Sequence, residues 1–213
     1  GQPAARNAGV RGIQRGMARG NVTFDDLWIQ TKGTETEPPK LVKFEPNAVQ
    51  CLYLDIIAPA WRAGDFAIKG LREDILKARQ FGFSTLILAL LFLQTVNNVA
   101  IKTVVMAHDA ESSESLFEIV RRFHDNLPDD KKPRTRNASA RKLSYSELGS
   151  SFEVRQAGTN TAGRGLTIHN LHCSEVAFYK NPKIFTGLLQ AVPKGGNVFK
   201  ETTANGEGTP HHL

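Results

Sequence analysis

Cysteine is scarce: the 213 residues hold two, Cys51 and Cys173. They are far apart and in different predicted elements, which excludes a disulfide scaffold and predicts a reducing compartment. Long hydrophobic runs are missing too. The longest, Leu86 to Leu93, has eight residues, where a membrane helix needs about 20, and no secretory signal opens the chain. A soluble protein is therefore expected. Acidic residues are absent from two segments. Residues 1–20 carry Arg6, Arg11, Arg15 and Arg19, and residues 131–142 carry Lys131, Lys132, Arg134, Arg136, Arg141 and Lys142. The remainder leans acidic, since 27 Lys and Arg against 21 Asp and Glu leave a net charge of only +6. Basic blocks of this kind neutralise nucleic-acid phosphates or form solvated loops, and charge alone does not decide between them.

What is present fits one α/β unit. With 40% apolar side chains and 18 glycines, the chain can bury its own core. Residues 1–40 are expected to be a flexible basic tail and linker, and 41–213 the folded domain. Asn47 is a predicted cap for a helix of about three turns running through Asp55. Strand and helix then alternate: a short strand Ile75 to Ala78, a buried helix Ser84 to Val96, a strand Thr103 to Ala107 and an amphipathic helix Ser112 to Leu127. After a basic loop, Lys142 to Tyr145 and Phe152 to Arg155 flank a turn near Gly149-Ser150 as a hairpin. A strand Leu166 to Cys173, a helix Pro182 to Ala191 and a strand Asn197 to Thr202 complete the series. Strands separated by helices predict a mainly parallel sheet with helices on both faces. Ligands sit at the carboxyl ends of such strands.

Three strand ends carry candidate chemistry. The first, Lys77-Ala78-Arg79-Gln80-Phe81-Gly82-Phe83-Ser84-Thr85, has the context of a phosphate loop, G-x-x-x-x-G-K-[ST]. Gly82 and Ser84 match that pattern, while Lys77 stands at the first glycine position and Phe83 at the lysine. Charge near a γ-phosphate could then come from Lys77 or Arg79 at the front of the loop. The second end, Thr167 to Glu175, places Ser174-Glu175 where a Walker B strand has Asp-Glu, so only the water-polarising glutamate remains. His172 and Cys173 point to opposite faces of this strand, which argues against a shared zinc ion. The third end is Glu201-Thr202-Thr203-Ala204-Asn205-Gly206.

In order and spacing, these three ends resemble the ATPase domain of viral large terminase subunits, over Phe44 to Gly206. The matches are the deviant loop Lys77 through Thr85, the Ser174-Glu175-Val176-Ala177-Phe178 segment and Thr202-Thr203-Ala204-Asn205-Gly206 as coupling motif. The resemblance implies a P-loop ATPase of the strand-catalytic-glutamate (ASCE) class using ATP and Mg²⁺. It further implies Lys77 and Arg79 on the phosphates, Ser84 on the metal, Glu175 orienting water and Gln50 on the adenine. Arg164, in Gly163-Arg164-Gly165, corresponds to an arginine proposed to reach a neighbouring subunit's nucleotide. Implied partners are double-stranded DNA, the portal and procapsid, a small terminase subunit and further copies in a ring, in the host cytoplasm and transiently at the portal. Arg134, Arg136, Arg141 and Lys142 are the candidate DNA contacts. Large terminases continue into a nuclease domain, which these residues do not contain, so no cleavage is expected. The alternatives are a nucleotide- or DNA-binding module without turnover and a helicase-like ATPase.

Overall fold

The computed structural model describes residues 19–78, 81–157, 167–179 and 183–204. A two-stranded antiparallel ribbon comes first, β1 (Trp28–Gln30) and β2 (Leu41–Lys43). Then follow α1 (Ala48–Ile57), β3 (Arg72–Leu76), α2 (Phe83–Asn97), β4 (Lys102–Ala107) and α3 (Ala110–Asp125). The chain continues through β5 (Thr135–Ser139), β6 (Lys142–Tyr145), β7 (Ser150–Gln156), β8 (Asn170–Ser174), α4 (Lys183–Gln190) and β9 (Asn197–Thr202). Seven strands form one sheet in the order β3-β9-β8-β4-β7-β6-β5. Its first five strands run parallel, and β6 and β5 are added antiparallel. No helix among the described residues is long and apolar enough to cross a membrane.

Period-two alternation divides the apolar side chains between two cores. On β4, Val105 and Ala107 join the larger core under α2 and α3, and Val104 and Met106 join a second core that includes Leu188 of α4. Coverage on both faces is why this strand is apolar without interruption. Helix α2 is apolar all round because it too is enclosed, with Leu86 to Val96 all buried. The Asn47 side chain caps α1, accepting from the Gln50 N–H at 3.0 Å.

Several expected boundaries move. Strand β3 spans Arg72–Leu76, so Lys77 and Ala78 already belong to the loop. It is an edge strand, and charged residues at Arg72, Glu73 and Asp74 are tolerated there, which hid its start. The basic segment 131–142 is not simply a loop, since it contains β5. The folded unit also begins before residue 41: Val22, Phe24 and Leu27 are in the main core, and Arg19 donates to the carbonyls of Lys131 and Val96. A few large apolar side chains suffice to anchor a segment whose average composition is polar. Strand β8 begins at Asn170, and Leu166 lies outside the described residues.

Candidate active site

The carboxyl ends of β3, β9 and β8 are adjacent in the sheet and lie beside the N-terminus of α2. Lys77 extends the pairing past β3, its N–H donating to the Thr202 carbonyl at 3.0 Å. Its ammonium then gathers the site. Nζ donates to Ser84 Oγ at 2.7 Å and lies 3.3 Å from Glu175 Oε1 and 3.1 Å from Glu201 Oε2. The lysine from the front of the loop thus occupies the space beside Ser84. Phe83, at the position of the usual lysine, packs edge-on against Tyr53 with ring centroids 5.4 Å apart.

Gly82 opens α2 in the left-handed region, at φ +70°. A Cβ there would come within 2.8 Å of Gln50 Nε2, so both the backbone and the close approach require glycine. The first in-helix bond is donated by Leu86 to the Gly82 carbonyl at 3.0 Å. The amides of the preceding turn are left available to an anion. Gln50 was expected on the adenine. It is only 3% exposed, and its Nε2 donates to the carbonyls of Phe81 at 3.2 Å and Gly82 at 3.0 Å. It clamps the loop before α2 to α1.

Glu175 adopts a left-handed backbone, φ +55° and ψ +51°, at a cost of about 1 kcal/mol or more for a non-glycine residue. Its side chain is tied to the end of β9. Oε2 accepts from the Thr203 N–H at 3.0 Å and the Thr203 hydroxyl at 3.1 Å. Thr202 Oγ1 in turn accepts from the Ala177 N–H at 3.3 Å, so the β8 and β9 ends are bonded in both directions. With Lys77 on its other oxygen, all three predicted motifs therefore meet at one carboxylate. Arg79, Gln80, Arg164, Asn205 and Gly206 lie outside the described residues. Ala204 is exposed, and Thr85 is half-buried in the first turn of α2.

Sequence reasoning assigned no role to Glu201. It is fully buried, its Oε1 accepting from the Ser174 hydroxyl at 3.0 Å and lying 3.2 Å from Nε2 of the equally buried His172. Burial pushes this carboxyl up; His172, Lys77 and the Ser84 hydroxyl more than reverse that and hold it at about 2. A lone carboxylate inside a buried strand was the signal that could have found it. His172 and Cys173 do face opposite sides of β8: His172 turns to Glu201 and Cys173 joins the second core.

The donor set suits Mg²⁺. Among the described residues no three His, Cys, Asp or Glu side chains form a metal cage, but Mg²⁺ is usually bound through one or two side chains plus substrate phosphates. Ser84 beside two carboxylates, one with an oxygen lacking an aligned hydrogen bond, provides such donors.

The hairpin of candidate DNA contacts lies at the other edge of the sheet. Arg134, Arg141 and Lys142 are each 3.6 Å from a carboxylate, those of Glu147, Glu114 and Glu153 respectively, while Arg136 is exposed. Lys131 is drawn into the body by Asp26 at 2.9 Å.

Comparison with solved structures decides the architecture. The crystal structure of the HK97 bacteriophage large terminase superposes with a TM-score of 0.62 at 14% identity, covering 90% of this chain. The fold is that of terminase ATPase domains. A second terminase, the ATPase domain from Thermus phage P74-26, matches with a TM-score of 0.50 at 15% identity, over 76% of this chain and 71% of that one. This chain spans 37% of the length of the HK97 large terminase. No family model and no curated protein matches the sequence.

Proposed function

We propose that the chain is the ATP-hydrolysing motor domain of a viral terminase large subunit, driving double-stranded DNA into a procapsid. The observation that carries this reading is the convergence on Lys77 of the loop hydroxyl Ser84, the β8 carboxylate Glu175 and, through Glu175, the β9 residues Thr202 and Thr203. A phosphoryl-transfer site needs positioned cations, backbone donors and a water-orienting carboxylate, and little else.

In this mechanism Lys77 and Arg79 neutralise the phosphates, cradled by the amides of residues 78–85. Ser84 would hold Mg²⁺, whose charge would offset that of the phosphates. Glu175 orients water for in-line attack. Substrate phosphates draw Lys77 away from Glu175 and leave that carboxylate to Thr203 and water. The segment Thr202 to Gly206 therefore registers the γ-phosphate through Glu175 and passes its loss to β9. Adenine recognition by Gln50 requires its amide to exchange one loop carbonyl for the base. On this reading Arg164 completes the site of a neighbouring copy, and the working form is a ring at the portal with the small subunit.

The test is Mg²⁺-dependent phosphate release by the purified chain, with and without procapsid. Glu175→Ala is expected to abolish it, and mixing Glu175→Ala with Arg164→Ala subunits to restore part. No release in either condition, or release unchanged in Glu175→Ala, contradicts the assignment. Saturable nucleotide binding with no release would instead favour a binding module, a reading motivated by the serine at position 174.

A further inference from the structure

We infer that Glu201 replaces the aspartate missing at position 174, so that the carboxylate backing the metal-holding hydroxyl has moved one strand across the sheet. This rests on the ATPase reading above. Ser174 and Glu201 are Cα partners on adjacent parallel strands, which puts both side chains on the face covered by α2. Glutamate is one methylene longer than aspartate and reaches back toward its neighbour. The reach is seen directly, since the Ser174 hydroxyl donates to Glu201 Oε1 at 3.0 Å. The serine thus occupies the aspartate position and holds the substitute carboxylate in place.

The other oxygen is turned to Lys77. Oε2 lies 3.1 Å from Lys77 Nζ, yet accepts no aligned hydrogen bond in a fully buried residue. Burying an ionised carboxylate is costly, and an apolar side chain would pack this face of β9 as Phe199 does two residues earlier. Lys77 Nζ joins the two groups, 2.7 Å from Ser84 Oγ and 3.1 Å from Glu201 Oε2. Phosphates that attract Lys77 would leave Oε2 to the Ser84 hydroxyl. A carboxylate so placed would orient the Ser84 hydroxyl for holding a cation. Glu201 is a positioning residue that acts through Ser84.

The experiment titrates a fluorescent ATP analogue in Mg²⁺ and in EDTA. For the wild-type chain Mg²⁺ strengthens binding. Glu201→Gln keeps the shape and removes the charge; it is expected to lose about 10–100-fold of the Mg²⁺ gain, the usual effect of removing an outer-shell partner, read as the ratio of affinity in Mg²⁺ to affinity in EDTA so that the release of Lys77, which acts on both, cancels. Adding Ser174→Asp to Glu201→Gln should restore the Mg²⁺ effect. If Glu201→Gln does not fold, Ser174→Asp with Glu201→Ser supplies the test, and it should bind with the full Mg²⁺ gain. A Mg²⁺ gain that survives Glu201→Gln, or an aspartate at 174 that restores nothing in a folded protein, overturns the inference and leaves the ATPase reading intact. A wild-type chain that binds no nucleotide overturns both.

Discussion

Lys77 lies within reach of two carboxylates and a hydroxyl, so on the proposed reading nucleotide entry would exchange internal ion pairs for phosphate contacts. A second ionisable side chain, away from the site, governs stability. His124 of α3 is buried against the Tyr145 ring with Nδ1 lacking a hydrogen-bond partner. Burial, aided by Lys132, lowers it to about 4. The unfolded chain, with an ordinary histidine value near 6.5, then binds the proton more readily than the folded one. The neutral form's contribution is complete above about pH 6.5 and is lost as pH falls toward 4. With allowance for solvent screening the loss is about 1–2 kcal/mol. Urea unfolding at pH 7.5 and pH 5 should register it, and His124→Phe should flatten the difference. An unchanged slope in that variant would assign acid sensitivity to other groups.

At the level of elements, the junction between α1 and α2 is the most constrained. Gly82→Ala places a Cβ against Gln50 in a left-handed backbone, which should cost about 1–2 kcal/mol and loosen the clamp on the phosphate loop. The urea midpoint should fall and nucleotide binding weaken together; loss of stability with full nucleotide affinity would show that the clamp is structural only. The Asn47 cap was legible beforehand because capping depends on a few neighbouring residues. So was β9, found at Asn197–Thr202 as expected, because Val198 and Phe199 follow the Gly195-Gly196 turn signal. Strand β5 was not legible, since an arginine-bearing edge strand is locally indistinguishable from a basic loop. The site was readable as three separate motifs, but Glu201 gains its meaning from Ser174, 27 residues away in sequence and opposite it in the sheet. No local pattern encodes that pairing.

Across the whole molecule, the candidate nucleotide and candidate DNA surfaces are at opposite ends of one sheet. Four strand spacings separate β8 from β5, about 20 Å, so any coupling between them passes through packed strands. Three of the four basic side chains on the hairpin already lie near carboxylates. Neutralising Arg134, Arg136, Arg141 and Lys142 together should lower double-stranded DNA affinity but flatten the salt dependence by fewer than about four phosphate contacts. Unchanged affinity would make the hairpin a charged guard of the sheet edge. The position of β9 also has a consequence for biosynthesis. Though last among the described strands, it lies between β3 and β8. On the ribosome, β3 therefore waits without a sheet partner while about 120 residues are added, at roughly 5–20 residues per second. The turn before α2 can form early, but the nascent chain acquires neither Glu201 nor the threonines that hold Glu175 until β9 inserts, so on the proposed reading nucleotide would not assist the folding of the earlier segments through a complete site.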